Sequence, residues 1–192
     1  MTVSIRNADV LDVAADALIY STNVLFNCSG GVGACLVTRY GQHVQKDLHA
    51  ILQRRGVRFA ERGEVEEFVS AGLPYQAVFH TVPSDGFYET SEEIVAGVLR
   101  KALEGCVARP EVRTVVFSAL ATGYGRLEFA DFLRIASELG SEEAFSSLDR
   151  ITLAIADPHA FSLAREQTEK EGLKFVFEET GRASIAASSP MG

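Results

Sequence analysis

Residues 17–36, ALIYSTNVLFNCSGGVGACL, read as a strand, a glycine loop and a helix in succession. Ala17-Leu18-Ile19-Tyr20-Ser21 is an apolar run of strand length. The chain then turns polar at Thr22-Asn23 and becomes glycine-rich at Ser29-Gly30-Gly31-Val32-Gly33. From Ala34 onward apolar residues fall at helical spacing: Leu36, Val37, Tyr40, Val44 and Leu48. A turn of this kind sets unpaired backbone N–H groups and the positive end of a helix beside one point, which suits an anion. Glycine permits a positive φ there and lets a phosphate approach the backbone. Many strand-to-helix turns need glycine for geometry alone, so the loop by itself leaves both readings open.

The same alternation continues outward. Val3 and Ile5 mark a first strand, and Asp9 opens a short helical turn through Val10-Leu11-Asp12-Val13. Residues 32–55 read as helix with a break at Gly41, and residues 64–69 as a strand with a polar start. Ala77-Val78-Phe79-His80-Thr81-Val82 is a strand whose lone histidine reads as a core or rim residue. Ile94, Val95, Val98, Leu99, Ala102, Leu103 and Cys106 trace an amphipathic helix starting near Thr90. Residues 114–120 form a β-branched central strand that runs into a second glycine loop, Ala121-Thr122-Gly123-Tyr124-Gly125. Leu127, Phe132, Leu133 and Ala136 supply the apolar side of the next helix. A strand at 151–156 leads to Asp157 as N-cap and Pro158 as first residue of a helix to 171, then to a strand at 173–177. Strands alternating with helices predict an α/β fold: three α/β/α layers around a mixed, mostly parallel sheet. Ligands in such sheets bind at the carboxyl ends of strands. That rule places Asp9, loop 22–33, loop 121–125 and the turn at Asp157 on one rim, with a diphosphate clamped between the loops.

Composition sets the outer bounds. The 192 residues suit one domain, expected over 1–180, with a mobile Ser/Ala-rich tail at 181–192. The net charge of −8 argues against nucleic acid as the main partner, because no broad basic face is available. The arginines at 54, 55, 58 and 62 are interleaved with glutamates and read as a solvated helix end. Three cysteines without a C-x-x-C pair predict neither a disulfide frame nor a zinc site, and no cofactor is expected. No secretion signal or spanning segment is read, so a cytoplasmic protein with no membrane partner is expected.

With these pieces in order, the chain resembles a macrodomain, the ADP-ribose-binding fold. The pieces that carry the resemblance are Ala8-Asp9-Val10, Tyr20-Ser21-Thr22-Asn23, Ser29-Gly30-Gly31-Val32, Val78-Phe79-His80-Thr81-Val82 and Ala121-Thr122-Gly123-Tyr124-Gly125. They keep the family's order and spacing over about residues 3–170. The resemblance implies that Asp9 accepts from the adenine amine and the Val10 backbone seats the ring. It implies that Asn23 holds the distal ribose, while Gly30, Gly31, Val32 and Gly33 face Thr122, Gly123, Tyr124 and Gly125 across the diphosphate. Tyr124 would also pack on that ribose.

Several positions depart from the family pattern. Tyr20 replaces the first of two asparagines, and Gly33 an aspartate that acts on water in hydrolytic members. The second loop is one residue shorter than the common form. Ala156 takes the place of an adenine-stacking aromatic, for which Phe161 is the substitute. No Gln-Glu-Glu run of the poly-ADP-ribose glycohydrolases is present. Asn23, Asn27, Asp12 and His80 remain as catalytic candidates by elimination, and Cys28 reads as a packed thiol rather than a nucleophile. The resemblance therefore implies a module that binds ADP-ribose, free or on protein. The alternative is a hydrolase that removes mono-ADP-ribose from acidic side chains or processes an ADP-ribose phosphate derivative. Other nucleotide domains fit less well, since neither G-x-G-x-x-G nor G-x-x-x-x-G-K-[ST] occurs.

Overall fold

A computed structural model describes residues 2–178; the expected tail at 181–192 lies outside them. Seven strands form one sheet: β1 (Val3–Arg6), β2 (Ala17–Ser21), β3 (Val65–Phe68), β4 (Ala77–Thr81), β5 (Thr114–Phe117), β6 (Arg150–Ala154) and β7 (Phe175–Glu178). Their order is β3-β4-β2-β5-β6-β1-β7. Only the β3–β4 pair is antiparallel; every other neighbour pair is parallel. The sheet is thus mixed and mostly parallel, as the alternating pattern predicts.

Among the described residues five helices cover it: α1 (Gly31–Tyr40), α2 (His43–Arg54), α3 (Glu92–Val107), α4 (Phe129–Gly140) and α5 (Pro158–Glu171). Successive strand residues point to opposite faces, so each central strand feeds two cores. Ile19, Phe79, Val115 and Phe117 pack with Val98, Phe132 and Ala164 of α3, α4 and α5. Leu18, Tyr20, Val78 and Val116 pack with Leu36, Leu48 and Leu52 of α1 and α2. The result is three layers. The central strand β5 buries Val116 on one face and Val115 and Phe117 on the other, which is why residues 114–120 read as a strand covered on both sides.

Local signals fix the ends. Ser91 accepts from the N–H of Ile94, with Glu92 and Glu93 in the positive first turn of α3. Asp157 accepts from the N–H groups of His159 and Ala160, and Pro158 opens α5 as expected. The break expected at Gly41 separates α1 from α2. Two details differ from the sequence reading. Leu127 is buried ahead of α4 rather than within it, and Glu143–Phe145 forms a short 3-10 turn that buries Phe145. No helix among the described residues is long and apolar enough to cross a membrane.

Candidate functional site

Parallel pairing makes β4, β2, β5, β6 and β1 end on one edge of the sheet, in that spatial order. The segments leaving those ends build a cavity of about 640 Å3. Its walls come from residues 21–33 after β2, 83–88 after β4, and 118–125 after β5. A smaller apolar hollow of about 380 Å3 adjoins it through the shared residues Ala119 and Thr122. Phe129, Ala154, Ile155, Ala156, Asp157, Ala160 and Leu163 complete that hollow at the ends of β5 and β6.

The first glycine loop is shaped by its own polar side chains. Asn23 Oδ1 accepts from the N–H groups of Leu25 and Asn27, and Asn23 Nδ2 donates to the Asn27 carbonyl at 2.8 Å. Gln45 of α2 clamps the next residues: it accepts from the Cys28 N–H at 2.7 Å and donates to the Phe26 carbonyl at 2.8 Å. His49 of the same helix reaches Asn27 Oδ1 at 2.8 Å. Gly31, at φ 53°, starts α1 in a backbone conformation that a Cβ would strain. The N–H groups at the start of α1, those of Gly31, Val32 and Gly33 among them, are the ones a helix leaves without an internal acceptor.

The second loop faces the first. Ser21 Oγ accepts from the Ala121 N–H at 3.2 Å, which ties the loop to the end of β2. A Cβ on Gly125 would stand 2.7 Å from the Ala121 carbonyl oxygen, so the tight turn requires glycine. Tyr124 leaves this turn exposed and leans over the first loop; a Cβ on Gly30 would meet its ring at 3.5 Å.

Beneath the first loop lies a polar-tipped aromatic cluster. Tyr20 is fully buried and its hydroxyl is 3.3 Å from His80 Nε2. The Cys28 thiol lies close enough to the same hydroxyl for the two groups to influence each other's titration. Phe26 and Phe68 enclose the imidazole, whose Nδ1 is buried without a partner. Burial pushes His80 down to about 3, so the ring is neutral. Burial likewise raises both the Tyr20 phenol and the Cys28 thiol, the latter partly offset by the nearby Tyr20 hydroxyl. Cys28 is therefore a protonated packing group, in keeping with its reading from sequence.

Of the site residues expected from sequence, Asn23, Gly30, Gly31, Val32, Gly33, Thr122, Gly123, Tyr124 and Gly125 all line the large cavity. Asn27 does too. Asp9 and Val10 sit at the end of β1, where the Ala8 N–H meets the Ile155 carbonyl, and they line neither hollow. Asp9 Oδ1 accepts from the Leu11 N–H at 2.8 Å and so caps the following turn. Phe161 packs edge-on against Phe177 beneath Arg165, outside both hollows. Asp12 pairs with Arg39 on the surface and His80 belongs to the core, so neither candidate base lines the cavity. Among the described residues no three His, Cys, Asp or Glu side chains gather as a metal site.

Sequence reasoning missed the third wall, Pro83-Ser84-Asp85-Gly86 with Tyr88. A signal was present, because this turn-rich stretch leaves a parallel strand on the same edge as the glycine loops. In that wall Asp85 Oδ1 accepts from the N–H groups of Glu89 and Phe87, and these bonds hold its carboxyl below the usual range. Gln45 and His49 were missed as well, since a polar residue on a helix gives no hint that it clamps a loop.

This arrangement agrees with a family model: residues 19–136, more than half of the chain, match the Macro domain. The chain belongs to the macrodomain family. A macro domain-containing protein of Streptomyces nogalater is 27% identical over 167 residues, covering 86% of this macrodomain and 91% of the relative. Two solved structures share the fold. A macrodomain of Oceanobacillus iheyensis with MES bound superposes with a TM-score of 0.73 at 18% identity, over 85% of this chain and 88% of the other. A Trypanosoma brucei macrodomain in complex with ADP-ribose gives a TM-score of 0.71 at 20% identity, over 88% and 68%.

Proposed function

We propose that this macrodomain binds ADP-ribose, free or protein-linked, along the carboxyl edge of its sheet. The observation that carries the reading is the continuity of the two hollows around two opposed glycine loops. The apolar hollow between the ends of β5 and β6 takes the adenine, with Asp9 and Val10 at its outer side. The loops take the diphosphate, and the far wall after β4 takes the distal ribose. Backbone N–H groups hold phosphate without lysine, so the protein's −8 charge is no obstacle. The ADP-ribose complex of the Trypanosoma relative supports the choice of ligand.

Calorimetric titration with ADP-ribose and AMP tests this reading. ADP-ribose should bind and AMP should bind at least about ten-fold more weakly, since AMP spans only one side of the clamp. Equal affinity for the two would refute the two-loop clamp.

A further inference from the structure

We propose that Tyr88, in the wall after β4, selects ligands that carry a sugar beyond the diphosphate. The inference rests on the ADP-ribose reading above and assigns one residue its own part in it. Along the sheet edge, β4 is separated from β6 by β2 and β5, so this wall closes the cavity end opposite the apolar hollow. A nucleotide with its base between β5 and β6 presents whatever follows its second phosphate to this wall.

Tyr88 is held there against its own backbone preference. Its φ of 66° is the left-handed conformation, which a bulky residue rarely adopts. Asp85 fixes that turn: its side chain accepts from Phe87 and Glu89, and its carbonyl accepts from the Tyr88 N–H at 3.1 Å. Phe87 is left 82% exposed, whereas the Tyr88 side lines the cavity. Strain stored at a cavity wall, with a built turn to maintain it, points to use by the site.

The ring has a counterpart on the opposite loop. Tyr88 and Tyr124 are the two aromatic residues that line the cavity, with ring centroids 5.8 Å apart and planes at 32°. An ion pair of 3.0 Å between Glu89 and Arg126 links the same two segments at the surface. The pair presents apolar ring surface beside polar loop backbone. A ribose has a matching character, with C–H groups on one face and hydroxyls at its edge. ADP ends at the second phosphate and reaches the glycine loops without needing this surface.

The test measures the affinity of wild type, Tyr88→Ala and Tyr88→Phe for ADP-ribose and for ADP by calorimetry. Tyr88→Ala should weaken ADP-ribose about ten-fold and change ADP by less than about two-fold. Tyr88→Phe should recover most of the loss, because ring packing rather than the hydroxyl provides the contact. Tyr88→Gly relieves the left-handed strain and should show the same loss of selectivity in a protein at least as stable, which keeps the test valid if the alanine variant folds poorly. An unchanged ratio of the two affinities, whether both fall together or neither moves, overturns this assignment while leaving ADP-ribose binding intact. Absence of ADP-ribose binding by wild type overturns the underlying reading and this assignment with it.

Discussion

Lowering the pH from 7 to 5 should remove about 2 kcal/mol of stability through His80 alone. In the fold the imidazole is fully enclosed by Tyr20, Phe26 and Phe68, and burial depresses it to about 3. The unfolded chain titrates near 6.5. Between those two values the unfolded state binds a proton that the folded state refuses, so stability falls as pH drops below 6.5. Above 6.5 both states are neutral and the term vanishes. Each unit below 6.5 is worth about 1.4 kcal/mol, and pH 5 lies one and a half units down. Urea unfolding of wild type and His80→Phe at pH 7, 6 and 5 isolates the effect. The chain has no tryptophan, so far-UV circular dichroism is the suitable probe. Phenylalanine suits the aromatic surroundings and removes the unpartnered Nδ1. Glu66, paired in register with His80 across the β3–β4 ladder and raised chiefly by burial, shifts stability in the opposite direction. It is present in both proteins and cancels in the comparison. The stability difference between the two proteins should change by about 2 kcal/mol over this range in favour of the variant at low pH. Curves that stay parallel within about 0.5 kcal/mol would show that the imidazole accepts a proton in the fold and that the cluster is open to water.

Two further substitutions probe the site itself. Asp9→Asn keeps an acceptor for the Leu11 N–H but loses the charge that, in the proposed binding mode, meets an adenine amine, so ADP-ribose should bind about ten-fold more weakly at unchanged melting temperature. Unaltered affinity would assign Asp9 to capping alone. Wild type should release little ADP-ribose from glutamate- or aspartate-modified protein, as followed by gel or mass spectrometry, because no carboxylate stands at position 33 to act on water. Gly33→Asp supplies one, yet its Cβ would stand 3.1 Å from Cys28 Cα and press on the Cys28 side chain. Any gain in turnover should therefore be partial, and rapid wild-type turnover that survives Asn23→Ala would refute the argument.

The sheet was legible because periodicity is a property of neighbours in sequence. Alternation at Val3 and Ile5, the β-branched strand read at 114–120, and the three- and four-residue steps of α3 each report one element's surroundings. The glycine loops were legible for the same reason, as each is contiguous and lies between a strand and a helix. Features that depend on distant partners left weaker traces. Tyr20 stood out only as a departure from the family pattern; its position between His80 and Cys28 emerges when β2 pairs with β4. Phe161 has the residue type of a base-stacking group, but α5 turns it toward Phe177 of β7. The wall carrying Tyr88 left no trace in the sequence reading because Asp85, which shapes it, looks like any turn aspartate.

The clamp on the first glycine loop carries a consequence for how the protein acquires its site. Gln45 and His49 reach back only 17 to 22 residues to Cys28, Phe26 and Asn27, so that wall closes on itself through short chain loops. The bond from Ala121 to Ser21, which sets the two glycine loops opposite each other, spans 100 residues. Closing the longer loop costs more entropy and delays the contacts that depend on it. On that ground one half of the site should take shape with α1 and α2 during refolding, and the other should wait for β5 to dock beside β2. Recovery of ligand affinity should thus trail the recovery of helix signal, and the lag measures the docking of the two halves.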